Sequence, residues 1–262
     1  MSDASRKALA VNQALLALGN EVFEAGGATF ICNRSVPELT DANHVAHVSA
    51  SAPDEIERLL ARVEREFEGC PHRRFDIDFT TPPAFEARLA VEGYQRFPLV
   101  AMLLEGEPAG DAMSCDIRLV EGDAGWDDYA ALHDVDWQDY APRLGRPEDV
   151  WTAGAMVRSR RGKSPPVSYW LAYVDGEPRS YCASWAGIDG IGQVDDLFTH
   201  PDFRRRGLAT ALIHRCIADC REHGARAVVI VADPADTPKN MYAALGFRPV
   251  ALTSHYSKRA EL

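Results

Sequence analysis

The stretch Q-V-D-D-L-F-T-H-P-D-F-R-R-R-G-L-A-T, residues 193–210, decides how the rest of the chain is read. Val194 to Thr199 is short, half apolar and strand-like, and Pro201 breaks it. After Gly207 the residues Leu208, Leu212, Ile213, Cys216, Ile217 and Cys220 recur at helical spacing. The order is therefore strand, turn, helix, with Arg204, Arg205 and Arg206 at the junction. Glycine at a helix start lets the backbone come close to a ligand, and first-turn amides have no partner inside the helix. With the positive end of the helix dipole, those amides suit a phosphate or diphosphate. Three arginines at a helix start also fit a solvated surface patch, and these residues alone do not separate the two readings.

Downstream, A-V-V-I-V-A (227–232) reads as a buried strand. D-P-A-D-T-P-K-N-M-Y-A-A-L-G-F (233–247) reads as a helix with Asp236 near its cap and Gly246 at its end. R-R-R-G-L-A at 204–209 resembles the Arg/Gln-x-x-Gly-x-Gly/Ala diphosphate loop of the GCN5-related N-acetyltransferases, the GNAT superfamily. D-D-L-F-T-H-P-D-F (195–203) is similar to the family's strand before that loop, and Y-A-A-L-G-F (242–247) to its tyrosine motif. The motifs stand in the family's order, and the resemblance covers roughly Asp116 to Tyr256. It implies an α/β protein of the acyl-CoA N-acyltransferase fold, a mixed sheet splayed where its central strands part.

The chain has 262 residues, 46% of them hydrophobic, enough for one large or two modest domains. No apolar run reaches the ~18 to 20 residues of a membrane span. The start A-L-A-V-N-Q-A-L-L-A-L-G is interrupted by Asn12 and Gln13 and has no cleavage site, so an amphipathic helix is expected rather than a signal peptide. A cytoplasmic location follows, without a membrane partner. Six cysteines without C-x-x-C spacing fit reduced thiols. A net charge of −11 argues against nucleic acid, which demands a basic footprint, and favours cationic substrates by steering.

Along the chain, residues 6–25 read as a helix and Ala28 to Cys32 as a strand. N-R-S at 33–35 is a chance glycosylation match without secretion. D-E-I-E-R-L-L-A-R-V-E-R-E-F (54–67) is an amphipathic helix with Ile56, Leu59, Leu60, Val63 and Phe67 on one face. A strand (74–79), a helix (83–91) and a strand (97–104) follow. This order echoes the end of the chain: L-A-V-E-G-Y (89–94) lies over Y-A-A-L-G-F, with Leu89 in the place of Tyr242. The segment before the Asp54 helix, S-A-S-A-P-D, has neither arginine nor glycine. Residues 1–110 are thus expected to be a truncated, degenerate GNAT-like half, as in tandem members of the family, with an unrelated α/β extension as the alternative. E-G-E-P-A-G-D (105–111) is the linker, and 111–262 the catalytic domain. Within it the chain reads as a strand (116–120), a helix from Trp126 into a loop, a second helix over E-D-V-W-T-A-G-A-M-V, and a hairpin turning at D-G-E-P.

Acetyl transfer to an amine needs a neutral nucleophile, a stabilised oxyanion and a proton for the leaving thiolate. An alkylamine of pKa ~10.4 is about one part in a thousand neutral at pH 7, so a base matters. Strand alternation puts Asp195 and Asp196 on opposite faces; Asp195 is the favoured amine contact or base, with Asp196 beside it, and strand capping is the alternative for both. In the family's histone-acetyltransferase branch the resemblance puts the base at Gln193, which cannot take a proton. The resemblance further implies Tyr242 as general acid and the Phe198 amide as donor to the thioester oxygen. Leu197 and Thr199 would pair with the pantetheine arm, and Arg204, Arg205, Arg206, Gly207, Leu208, Ala209 and Thr210 would hold the diphosphate. The family's frequent asparagine is Ala235 here; its neighbours Asp236 and Asn240 are carried as cofactor-side candidates.

Other patterns weigh less. G-I-D-G-I-G (187–192) imitates a dinucleotide fingerprint but has no helix after it. Cys216, Cys220 and His223 share a helix face, yet the cysteines continue the buried stripe, so no metal is expected. Asp127, Asp128, Asp134, Asp136 and Asp139 would receive a cationic acceptor or be a solvated face; Arg158, Arg160, Arg161 and Lys163 would meet an anion or lie on the surface. The expected function is acetyl-CoA-dependent N-acetylation of a primary amine of a small molecule or peptide. The rival is a non-catalytic module that senses CoA or binds a partner. Acylation with a longer chain, or of a protein N-terminus, is a third reading, and a homodimer is compatible with the sequence.

Overall fold

The computed structural model describes residues 2–141 and 150–260. The chain divides into two compact units: Met1–Ala101 with Ala232–Asp236 and Pro249–Leu262, and Met102–Val231 with Thr237–Arg248. The units therefore exchange segments rather than meeting at one cut in the chain.

The first unit contains α1 (Asp3–Ala17), β1 (Glu21–Ala25), β2 (Ala28–Cys32), β3 (His44–Ala46), α2 (Pro53–Glu66), β4 (His72–Ile77), α3 (Pro83–Val91), the start of β5 (Gln95–Glu105) and most of β11 (Arg248–Arg259). The strand order is β1-β2-β3-β4-β11-β5. Only β3 and β4 are parallel among the pairs β1/β2, β2/β3, β3/β4 and β4/β11, and α2 is the crossover between them. The single helix expected over 6–25 is corrected. It ends at Ala17, where the Asn20 side chain donates to the Leu16 carbonyl at 2.8 Å and Gly19 takes φ +73°. The chain then turns at Gly26 and Gly27 into a hairpin, a two-glycine signal that the preceding leucines and alanines masked. Phe30, Phe67, Phe75, Phe85, Leu59 and Leu89 fill the core, with Phe75 edge-on to Phe85 at 5.1 Å.

The second unit holds the end of β5, β6 (Asp116–Leu119), α4 (Gly122–Tyr140), α5 (Val150–Lys163), β7 (Ser168–Val174), β8 (Glu177–Ile188), β9 (Ile191–Thr199), a 3-10 turn (Pro201–Phe203), α6 (Leu208–Glu222), most of β10 (Ala227–Ala232) and α7 (Pro238–Ala244). Glu148 and Asp149, expected to open α5, lie outside the described residues. The order is β10-β9-β8-β7-β6, antiparallel except for β9 with β10, which α6 connects. Leu208, Leu212, Ile213, Cys216, Ile217 and Cys220 are the buried face of α6. G-I-D-G-I-G is the β8–β9 hairpin, turning at Asp189 and Gly190. A Cβ on Gly192 would stand 2.9 Å from Cys220 Sγ, so that glycine serves helix-on-sheet packing.

Candidate active site

The ladder between β9 and β10 runs from Ile191↔Ala227 to Val194↔Ile230 and ends there, whereas β9 stays paired with β8 as far as Thr199. The two parallel strands thus part just before Asp195. On the β8 side the register steps from Ala183↔Asp195 to Tyr181↔Phe198, two residues against three. The extra residue is a β-bulge at Asp196, whose φ of +56° is a conformation that Asp tolerates better than most side chains.

The bulge corrects the expected alternation of the two aspartates. Residues opposite one another in a ladder share a face, so Asp195 lies on the face of Ala183, Tyr181 and Phe198. Asp196, carried round by its positive φ, reaches the helices on that same face. Arg160 of α5 grips it with two bonds, Nε to Oδ2 and Nη2 to Oδ1, both 2.5 Å, and Tyr129 of α4 donates its hydroxyl to Oδ2. Burial works to raise the pKa of Asp196, but the charge and hydrogen bonds of Arg160 outweigh it and hold the carboxyl below its usual range. With both oxygens engaged and low basicity, Asp196 holds the bulge in shape rather than taking a proton.

Around this pair lies a ring-rich polar cluster that sequence reasoning did not assemble. Tyr181 stands 4.9 Å from Tyr129 and 5.5 Å from Phe198 between ring centres, and donates its hydroxyl to Asp136 of α4. Burial pushes the Asp136 carboxyl up to about 6. His133, fully buried, lies 6.0 Å from the rings of Tyr129 and Tyr181; burial lowers its pKa to about 4, so it is neutral. Of the other carboxylates on α4, Asp128 accepts from Tyr173 at 2.6 Å, Asp139 pairs with Arg204 at 2.8 Å, and Asp127 and Asp134 are exposed. Arg160, in a basic run that fits a surface helix, is half-buried and turned to the sheet, where it meets Asp196; Arg161 meets Asp123 at 2.6 Å. Gln193 is also buried.

The arginine loop divides its labour. Arg204 donates Nε to the Thr199 carbonyl at 3.1 Å and its other end to Asp139, while Arg206 folds back onto the Asp202 carbonyl at 3.0 Å and over the Phe203 ring. Arg205, exposed and at φ +62°, makes no side-chain hydrogen bond or ion pair among the described residues. Gly207, φ +83°, is the N-cap of α6, and the first bond closing the helix runs from Ala211 N to its carbonyl at 3.0 Å. The amides ahead of that bond, through Leu208, Ala209 and Thr210, have no partner inside the helix. A Cβ at Gly207 would stand 2.6 Å from Sδ of Met113, a side chain 45% exposed that rests on this corner.

Tyr242 is the buried residue of α7 and sets its ring 6.3 Å from Phe247. Gly246, φ +100°, ends the helix as expected. Thr237 is the N-cap, with Asp236 beside it, and no side-chain bond caps the helix. Asp236 and Asn240 are both exposed, and Asp236 falls in the segment belonging to the first unit. Cys216 and Cys220 are buried thiols, and no cluster of three His, Cys, Asp or Glu placed for a metal exists among the described residues. Nor is any helix among them long and apolar enough to cross a membrane.

Residues 125–247 match the model of the acetyltransferase (GNAT) family, and this region, from α4 through α7, is a GNAT domain. Over nearly its whole length the chain resembles solved structures of that fold. A conserved protein of unknown function from Staphylococcus epidermidis is 17% identical with a TM-score of 0.70, the match covering 92% of this chain and 94% of that one. A GCN5-related N-acetyltransferase from Kribbella flavida is 18% identical with a TM-score of 0.68, covering 99% and 97%. A tandem GNAT protein from the clavulanic acid biosynthesis pathway is 15% identical with a TM-score of 0.58, covering 99% and 97%. At such identities the likeness is one of fold, and it bears out the expected GNAT fold with a GNAT-like half before it. Comparison with curated proteins gives no match.

Proposed function

We propose that the second unit transfers an acetyl group from acetyl-CoA to the primary amine of a small molecule or peptide, both substrates being bound together. The observation that carries this reading is the parting of β9 from β10 at Val194, followed after the end of β9 and a 3-10 turn by a helix that opens on Gly207. Beyond that point the main chain of Leu197 and Thr199 offers an edge on which a pantetheine arm adds like a further strand. The amides of 207–210 and the unengaged guanidinium of Arg205 suit its diphosphate. Acetyl-CoA supplies the activated thioester. In this reading the Phe198 amide polarises the thioester carbonyl, Asp195 contacts the incoming amine, and Tyr242 gives its proton to the departing sulfur.

A second reading, a module that binds CoA or a partner without chemistry, is favoured by buried Gln193 and by Met113 resting on Gly207. CoA release measured against a panel of amines separates them. The enzyme reading expects turnover that Tyr242→Phe lowers at least about 10-fold with CoA affinity unchanged. Tight coenzyme binding with no turnover on any amine selects the module.

A further inference from the structure

The acetyltransferase reading leaves open which group takes the proton of an acceptor that arrives as an ammonium ion. Asp196 is engaged by Arg160 and Tyr129. Asp136 is different. Among the described residues its only side-chain hydrogen bond comes from the Tyr181 hydroxyl, Oδ1 has no protein partner, and no cation is ion-paired with it. Tyr181 is the residue directly opposite Phe198, the residue whose amide faces the thioester in that reading. One turn earlier on the same helix, His133 is fully buried with neither ring nitrogen hydrogen-bonded, its ring nearly parallel to that of Tyr181 at 11°. A buried imidazole without partners costs free energy unless something else supplies the bond. The tyrosine thus holds the half-satisfied carboxylate on the face of the sheet that carries Phe198 and Asp195.

We propose that Asp136, held by Tyr181, receives the acceptor's ammonium group and takes its proton. This rests on the acetyltransferase reading. An N–H bond of the ammonium breaks, leaving its electron pair on nitrogen, and the proton passes to Oδ1 of Asp136. That pair forms the N–C bond at the acetyl carbonyl as the C–S bond breaks with its pair on sulfur. Sulfur takes the proton of Tyr242, a second proton from nitrogen restores Tyr242, and Asp136 releases its proton to solvent, one per turnover. The groups facing Asp136 are Tyr181 on β8, Asp196 on β9, Arg160 on α5 and Asp139 on its own helix. Burial is the largest influence and lifts its pKa to about 6, so it is ionised at pH 7 yet a far better base than an ordinary aspartate.

The test uses the full chain with acetyl-CoA and three acceptors, putrescine, tyramine and hydroxylamine, of which hydroxylamine is already neutral at pH 7. For Asp136→Asn the expected result is a fall of about 100-fold in kcat/KM for the two alkylamines, loss of the limb near pH 6, and a change of less than about 3-fold for hydroxylamine. Asp136→Glu, keeping a carboxylate, is expected to restore part of the loss, and CoA affinity by calorimetry stays at the wild-type value in both. Equal losses on all three acceptors, or unchanged alkylamine kinetics and pH profile, overturn the role of Asp136 alone. No turnover of any amine by the wild-type protein overturns the acetyltransferase reading and this assignment with it.

Discussion

Replacing Arg160 with Met isolates what holds the bulge. The guanidinium and the Asp196 carboxylate are only 18% and 13% exposed, and the two 2.5 Å bonds between them are made away from water. Removing one partner of such a pair leaves a buried charge whose remaining donor is Tyr129, at a cost of about 3–5 kcal/mol. For a domain of this size each kcal/mol lowers the melting temperature by roughly 2–4 °C, so Arg160→Met is expected to melt about 6–20 °C below wild type. Adding Asp196→Asn removes the orphan charge, keeps a residue that tolerates φ +56°, and is expected to recover more than half of the loss. The dependence on pH has a definite sign. Asp196 has a depressed folded pKa, so its stabilisation is present above the unfolded value of about 3.9 and is lost as pH falls below it. The gap between wild type and Arg160→Met therefore closes in acid. Thermal unfolding followed by circular dichroism at pH 7 and below pH 3.9 reads all of this. A single variant melting within about 2 °C of wild type at pH 7, or a double variant no better than the single, refutes the account of the bulge.

Two other expectations follow from the same cluster and from the loop. Asp136 has a raised folded pKa of about 6, so it favours folding below the unfolded value near 3.9 and opposes it as pH rises through 6; Asp136→Asn should be more stable than wild type by up to about 3 kcal/mol at pH 7 and indistinguishable below pH 3.9, by urea titration. Gly207→Ala forces a Cβ into a left-handed backbone position and against Met113, so it should cost about 1–2 kcal/mol of stability and weaken CoA binding at least about 10-fold in calorimetry, whereas undiminished affinity would remove the α6 amides from the cradle.

What the sequence made legible was local. The βαβ passage from β9 through α6 to β10 follows from an apolar strand, a proline, a glycine and a helical stripe, all within one window. The fit of Gly207 and the burial of Tyr242 follow from motifs whose parts are neighbours in the chain. The Arg160–Asp196 pair joins residues 36 apart, and nothing in R-S-R-R-G-K marks which arginine turns inward. Tyr181 and Asp136 are 45 apart, and Asp136 looks like one carboxylate among five. The bulge itself defeats reasoning by alternation, since one extra residue brings both aspartates to one face.

The two halves of the chain differ at the helix start where the proposed reading seats a diphosphate. In the first unit α2 joins parallel β3 and β4 as α6 joins β9 and β10, and Leu89, which the sequence alignment sets over Tyr242, is fully buried. The two amides just before α2 are already bonded by a side chain of its first turn: Glu55 accepts from Ser51 N at 3.1 Å and from Ala52 N at 3.0 Å, and these bonds lower its pKa. A carboxylate of the chain itself thus stands where an incoming anion would bind, and a second negative charge would have to displace it from the same donors. At α6 the corresponding place is a glycine, with a guanidinium beside it that no described residue neutralises. In the proposed reading, the difference between a scaffold and a coenzyme site therefore reduces to whether the helix supplies its own anion.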